Sequence, residues 1–379
     1  MRHTIRRFTT FLAAALLLLA GCGGSSGDSD TPAPALPGTA FVTTTDYSTG
    51  GYATIDLDTL EARALPGSGI VESDNAAAYH GGKIYVINRM GFDNITVLAS
   101  SDLAVPTIQF STGNGTNPHS TALVNDTKAY VSLYGADYLL VVNPATGEEL
   151  GRVDLSGFAD ADGVPEASPM VIVDGKLFVA LQRLNRDRWF ASTDASYLLV
   201  IDTATDRVVD ADPSTADTDD PILLTGTNPQ FLLYDETLDR ILVSETGDYG
   251  AQDGGLETVD PATYRAEGFL VTEADLGGDV GALAVVDGSK AYVVVTDPSW
   301  ANDVAVVGKN EDGSWQKQGA LGLPGAFIPS LALDCRGRLL VPDRSAEDPG
   351  VRFFDTDADQ EVDGSPVDVG LPPNAIVVF

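Results

Sequence analysis

Side chains able to do covalent chemistry are few in this chain, and their types already restrict it. The 379 residues include two cysteines and three histidines, too few for a zinc ribbon, an iron–sulfur cluster or a disulfide scaffold. Nucleophilic catalysis needs a nucleophile, a base within hydrogen-bond reach and a group that orients the base. With His3 in a leader-like segment, only His80 and His119 remain as imidazole bases, and the one Gly-x-Ser-x-Gly match, Gly23-Gly24-Ser25-Ser26-Gly27, falls in a Gly/Ser stretch with no strand-to-helix turn to make an elbow. His80 stands beside Gly81-Gly82 and reads as a solvated turn residue, and His119, after Pro118, reads as a hydrogen-bonding group leading into a strand. The 55 Asp and Glu offer carboxylates everywhere, but their spacing singles out no acid–base pair. Against only 22 Lys and Arg they give a net charge of -33, which repels phosphate backbones and excludes nucleic acid as a partner.

Binding chemistry is better supplied. Arg89 and Phe92 fall in the loop 88–93, Tyr134 in 134–137, and Arg183, Arg188 and Trp189 in the long loop 182–196. Tyr249, Trp300 and Arg344 sit in three later loops of the same kind, and His119, Gln230 and Asn374 lead into strands. Trp and Tyr offer stacking area, and Arg grips a carboxylate or phosphate through two parallel bonds. Gathered in a concave mouth, these types make a ligand or partner site. Packing of the long loops against the fold is the other use the sequence allows.

One acidic segment stands apart, Asp355-Thr356-Asp357-Ala358-Asp359-Gln360-Glu361-Val362-Asp363. Asp355, Asp357, Asp359 and Asp363 resemble the Asp-x-Asp-x-Asp calcium loops of bacterial repeat proteins, and Ca2+ favours alternating carboxylates in a tight loop. Gln360 replaces the usual glycine and Pro366 the closing Glu, and Asp355 also reads as an ordinary turn cap. The run 206–220 lacks this spacing and reads as a solvated loop.

These groups need a scaffold that brings distant segments to one place, and a repeat supplies it. A strand opened by Lys or Arg recurs as Lys83-Ile84-Tyr85-Val86, Lys128-Ala129-Tyr130-Val131, Lys176-Leu177-Phe178-Val179, Arg240-Ile241-Leu242-Val243, Lys290-Ala291-Tyr292-Val293 and Arg338-Leu339-Leu340-Val341, with Ala40-Phe41-Val42-Thr43 as a seventh copy. Successive copies lie about 43, 45, 48, 64, 50 and 48 residues apart, the length of a four-stranded propeller blade. A following strand ends in Asp56-Leu57-Asp58-Thr59, Asn143-Pro144-Ala145-Thr146, Asp202-Thr203-Ala204-Thr205 or Asp260-Pro261-Ala262-Thr263. Asp or Asn there caps a turn by accepting a backbone N–H two residues on. No inner strand precedes Phe41, but Pro373-Asn374-Ala375-Ile376-Val377-Val378-Phe379 has that form. The expected fold is all-β, a seven-bladed β-propeller of four-stranded antiparallel blades, closed by this C-terminal strand in the first blade.

The strands and Asp-x-Ala-Thr turns resemble the YVTN-type repeat of secreted bacterial propellers, in the quinoprotein-dehydrogenase-like and lactonase-like superfamily. The resemblance covers residues 39–379 and implies the fold; the superfamily includes enzymes, ligand binders and surface-layer proteins. The short first-to-second turns place stability on one face. The second-to-third loops and the lead-ins to inner strands place Arg89, Phe92, His119, Tyr134, Arg183, Arg188, Trp189, Gln230, Tyr249, Trp300 and Arg344 on the other.

The N-terminus joins Arg2, Arg6 and Arg7 to an apolar run that is too short to span a bilayer. The run ends in Leu19-Ala20-Gly21-Cys22, which resembles the lipobox of bacterial lipoproteins. That resemblance implies a signal peptide over 1–21, acylation of Cys22, a Gly/Ser/Pro tether over 22–38 and no intramolecular disulfide. Gly23 in place of Asp implies the outer membrane of a bacterial envelope. The expected function is a non-catalytic, lipid-anchored binding module for a small ligand or an outer-membrane transporter, acting as a monomer. A lactonase-like hydrolase and a structural surface protein are the alternatives.

Overall fold

The computed structural model describes residues 38–379 apart from 189, 194, 218 and 324. Cys22 and the signal segment lie outside the described residues. Seven antiparallel sheets of the expected kind follow one another around a central channel. The ring closes as the repeat predicts. Thr39–Thr45 lies between Gly50–Asp56 and the C-terminal strand Pro373–Val378, with Ala62–Pro66 outermost. Ala40, Phe41 and Val42 face Val378, Val377 and Ile376 across that seam.

Alternation along each second strand makes the core. In Lys176–Leu181 of blade 4, Leu177, Val179 and Leu181 join the apolar cluster shared with blade 3, and Phe178 and Ala180 join the one shared with blade 5. A strand buried on both faces needs apolar residues at every position, which explains the unbroken β-branched and aromatic runs. Seven such clusters lie between the seven neighbouring pairs of blades, so the core is itself a ring.

The recurrent polar residues hold turns. Asp202 Oδ1 accepts the N–H of Ala204 and Thr205 at 3.0 and 2.9 Å, and Asp56 Oδ1 accepts those of Asp58 and Thr59, both at 2.9 Å. In blades 3, 6 and 7 the Lys or Arg that opens the second strand ties its blade to the next, whereas Lys176 and Arg240 pair within their own blades. Lys128 Nζ lies 2.7 Å from Asp206 of blade 4, and Arg338 donates to Leu57 O of blade 1 at 2.6 Å.

One such tie engages part of the segment that resembles a calcium loop. Asp359 accepts from Lys290 Nζ at 2.7 Å and from the Tyr292 hydroxyl, and Asp355 caps its own turn through Asp357 and Ala358 N–H. Asp357 and Asp363 are exposed, and among the described residues no three His, Cys, Asp or Glu side chains converge to hold a metal. Cys335 is engaged and not a free thiol, and the other cysteine, Cys22, lies outside the described residues.

Two departures from regularity matter for the site. Blade 4 splits its outer strand into Arg207–Val208 and Ile222–Leu223, and the acidic run between them accounts for part of the long 64-residue interval. Before blade 6 a short helix, Glu273–Leu276, is capped by Thr272 and Asp275 in a reciprocal pair of bonds and ends at Gly277 with φ 90°. No helical period in the sequence announces it; the Thr272-x-x-Asp275 pair is its one local signal.

Candidate functional site

The second-to-third loops and inner-strand lead-ins surround a channel of about 720 Å³. Its walls stay apart because small residues, among them Ala76, Ala77, Gly281, Ala282 and Ala375, occupy the inner strands. Amides and hydroxyls from Asn75, Ser120, Ser168, Gln230 and Asn374 punctuate this wall.

On the side of blades 2 to 4 the polar groups satisfy one another. Arg89 meets Asp74 through Nε and Nη2 at 2.9 and 2.6 Å, and its Nη1 lies 3.2 Å from His119 Nε2. A guanidinium only donates, so Nε2 accepts and the imidazole proton sits on Nδ1, 2.7 Å from Ser168 Oγ. Burial, then the charge of Arg89, pushes the His119 pKa down to about 3, so the ring is neutral at ordinary pH. Tyr134 stacks on the imidazole at 4.8 Å between centroids. With both nitrogens engaged, His119 is a fixed element of the wall and has no lone pair left to act as a base.

The side of blades 5 and 6 differs. Gln230 Nε2 donates to Asn228 Oδ1 at 2.9 Å and to the Tyr249 hydroxyl at 3.2 Å. The Tyr249 and Trp300 rings stand 6.3 Å apart, inclined by 43°. Beneath them Asp279, 4% exposed, accepts Gly250 N–H at 2.7 Å. Burial raises its pKa, and the charge that acts on it is another carboxylate, Asp253.

Buried carboxyls of blade 5 and of the helix that follows it underpin these loops. Glu273 accepts Gly254 N–H and Val280 N–H at 2.9 and 2.8 Å, which joins the Tyr249 loop to the strand that begins at Asp279. Glu245 accepts Gly226 N–H at 2.5 Å, and Glu257 accepts Thr225 N–H at 3.0 Å. Glycine is required at two of these contacts. A Cβ on Gly226 would stand 2.3 Å from the Glu245 carboxylate, and one on Gly254 1.8 Å from the Glu245 carbonyl.

Around the mouth, Tyr47, Met90, Phe92, Phe190, Tyr249, Trp300 and Phe327 expose 42–69% of their surface. Tyr47, Met90, Phe190 and Trp300 also adopt φ between 46° and 68°, a left-handed backbone that costs a bulky residue about 1 kcal/mol or more. An exposed apolar side chain recovers none of that cost by burial.

Five of the residues singled out in the sequence, Arg89, His119, Gln230, Tyr249 and Trp300, meet in this channel. The others do not line it. Tyr134 backs His119, and Phe92 and Arg188 are exposed outside it. Arg183 braces its own loop, donating to Ala195 O at 2.6 Å over the Tyr197 ring. Arg344 is a clasp, with donations to Pro373 O and Thr45 O at 3.1 and 3.0 Å between the Tyr47 and Phe327 rings. Trp189 lies outside the described residues. Sequence reasoning missed Asp279, which opens an inner strand, and Phe327, which precedes one, because neither carries the Asn-Pro signature used to find the lead-ins.

By sequence the chain matches no family model and no curated protein. Solved structures share its fold. A Bacteroides fragilis protein bearing the name 6-phosphogluconolactonase is similar at 15% identity and TM-score 0.65, over 92% of this chain and 100% of that one. A Lactobacillus plantarum protein is similar at 12% identity and TM-score 0.62, over 91% and 100%. The Pseudomonas aeruginosa periplasmic gluconolactonase is similar at 14% identity and TM-score 0.57, over 90% and 99%.

Proposed function

We propose that this propeller is a non-catalytic binding module that holds a small molecule in its channel mouth. One observation carries the reading: Arg89, His119, Gln230, Tyr249 and Trp300, from four different blades, converge on a single cavity ringed by exposed aromatics. The fixed tautomer of His119 favours binding over chemistry, because both ring nitrogens are engaged and this imidazole cannot act as a base. The names of two structural neighbours favour lactone hydrolysis as the second reading. A panel of sugars, lactones, amino acids and amines, tested by thermal shift and by pH-stat, separates the two. We expect raised melting without turnover, lost in Trp300→Ala. Lactone hydrolysis above the buffer rate, lost in Arg89→Ala, would replace binding with catalysis.

We further propose that the protein is held at the bacterial envelope through acylated Cys22, where it serves a membrane transporter. Gly38 O accepts Leu57 N–H at 2.9 Å, beside the third-to-outer turn of blade 1. The described chain therefore enters on the face opposite the mouth. Acylation and a bridge to Cys335 would compete for the same sulfur, since the sequence holds one other cysteine. Intact mass spectrometry of the membrane fraction is expected to show acyl chains on Cys22. A bridged, unacylated chain would remove the anchor.

A further inference from the structure

We infer that the blade 5–6 side of the mouth binds an organic cation, an ammonium group on an apolar body, with Asp279 as its counter-ion. The inference rests on the mouth being a binding site and names the chemistry of what it takes. Asp279 opens the inner strand Asp279–Asp287 and lines the cavity. It is only 4% exposed, with one backbone N–H on Oδ2 and no ion-pair partner among the described residues. Carboxylates removed from water are normally paired. This one stands at a cavity wall, where a ligand can supply the missing charge.

The groups above it suit a cation and no other charge. Tyr249 and Trp300 present two inclined ring faces, 59% and 68% exposed, and the negative face of an aromatic ring attracts an ammonium. The Trp300 hairpin is built to hold that ring up. Asp297 Oδ1 accepts Ser299 N–H and Ala301 N–H at 2.8 and 3.0 Å, and Trp300 N–H donates to Asp297 O at 2.9 Å. Arg89 is the one Lys or Arg in the lining among the described residues, and Asp74 neutralises it on the other side. An anion would therefore meet Asp279 with no cation to offset it, and a neutral ligand would leave Asp279 unpaired. A bare metal ion needs several oxygens, and Asp279 has one uncommitted. The net charge of -33 further concentrates cations near the mouth.

Choline and its uncharged isostere 3,3-dimethylbutan-1-ol are the probes, measured with the full-length protein by calorimetry and by quenching of tryptophan fluorescence. Choline is expected to bind at least about ten-fold more tightly than the isostere, with Asp279→Asn and Trp300→Ala each weakening it by about ten-fold or more. The amide introduced by Asp279→Asn keeps an oxygen for Gly250 N–H, so the fold of that variant is checked by an unchanged melting profile. Equal binding of the two probes, or undiminished choline binding by Asp279→Asn, overturns the inference. If choline gives no heat but a neutral or anionic compound binds in a Trp300-dependent way, the cationic assignment falls and the binding site stands. If no compound of any charge binds, both fall.

Discussion

A chain cut before Pro373 is expected to lose its cooperative fold, in far larger measure than the loss of seven terminal residues from an ordinary domain. Pro373–Val378 is the inner strand of the first blade, and without it Thr39–Thr45 becomes an open edge facing the channel. The same segment fastens three blades. Asn374 Nδ2 donates to Asn75 O of blade 2 at 2.7 Å, Phe379 stacks on Tyr79 at 5.2 Å, and Ser330 donates to Asn374 O at 2.8 Å. The milder substitution Arg344→Ala removes charge-assisted bonds to Pro373 O and Thr45 O and should cost about 2–3 kcal/mol. Far-UV circular dichroism against temperature reads both. A truncated protein that melts like the full chain would refute the ring closure as the source of stability.

The second large effect is expected from Glu245→Gln, and its sign depends on pH. Burial, with the Glu257 carboxylate beside it, pushes the Glu245 pKa up to about 10. The native state thus keeps a proton that the unfolded chain releases near its ordinary pKa of 4.5. Stability therefore falls as pH rises from about 4.5 towards 10, by the linkage between proton uptake and folding. Glutamine keeps an oxygen for Gly226 N–H and places an amide N–H where the carboxyl proton would sit. The variant should match the parent near pH 4.5 and exceed it by an amount on the order of a few kcal/mol at pH 8–9. Urea unfolding across that range measures it. Equal slopes for the two proteins would mean that Glu245 is ionised in the fold. Glu166 and Glu273, each raised to about 7 by burial, steepen the same decline between pH 4.5 and 7. Turn carboxylates such as Asp202, lowered to about 2 first by Lys176, act in the other direction, and their stabilisation is lost as pH drops below about 4. Greatest stability is accordingly expected in mildly acidic solution.

Ring, blades and closing strand were legible because they rest on local, periodic signals. The second-strand runs are apolar on both faces in every copy, and the Asp or Asn caps act within three residues of themselves. The lip was legible in part, since Tyr249 and Trp300 stood in loops of known face. The arginines divided in ways composition could not reveal. Arg89 reached the channel, whereas Arg183 turned onto Tyr197 and Arg344 onto the closing strand.

From the amino-acid order alone came the all-β class, the sevenfold repeat and its seam, since each depends on neighbours in the chain. Only the tertiary structure decided which side chains share the channel and that Asp279 stands there without a counter-ion among the described residues. It also decided that Glu245 and Glu257 are buried together, that Asp355 caps a turn and that Asp359 holds a lysine. Those outcomes turn on how each loop's backbone aims its side chains, and on which blade lies beside or across from which. Both are set by closure of the ring.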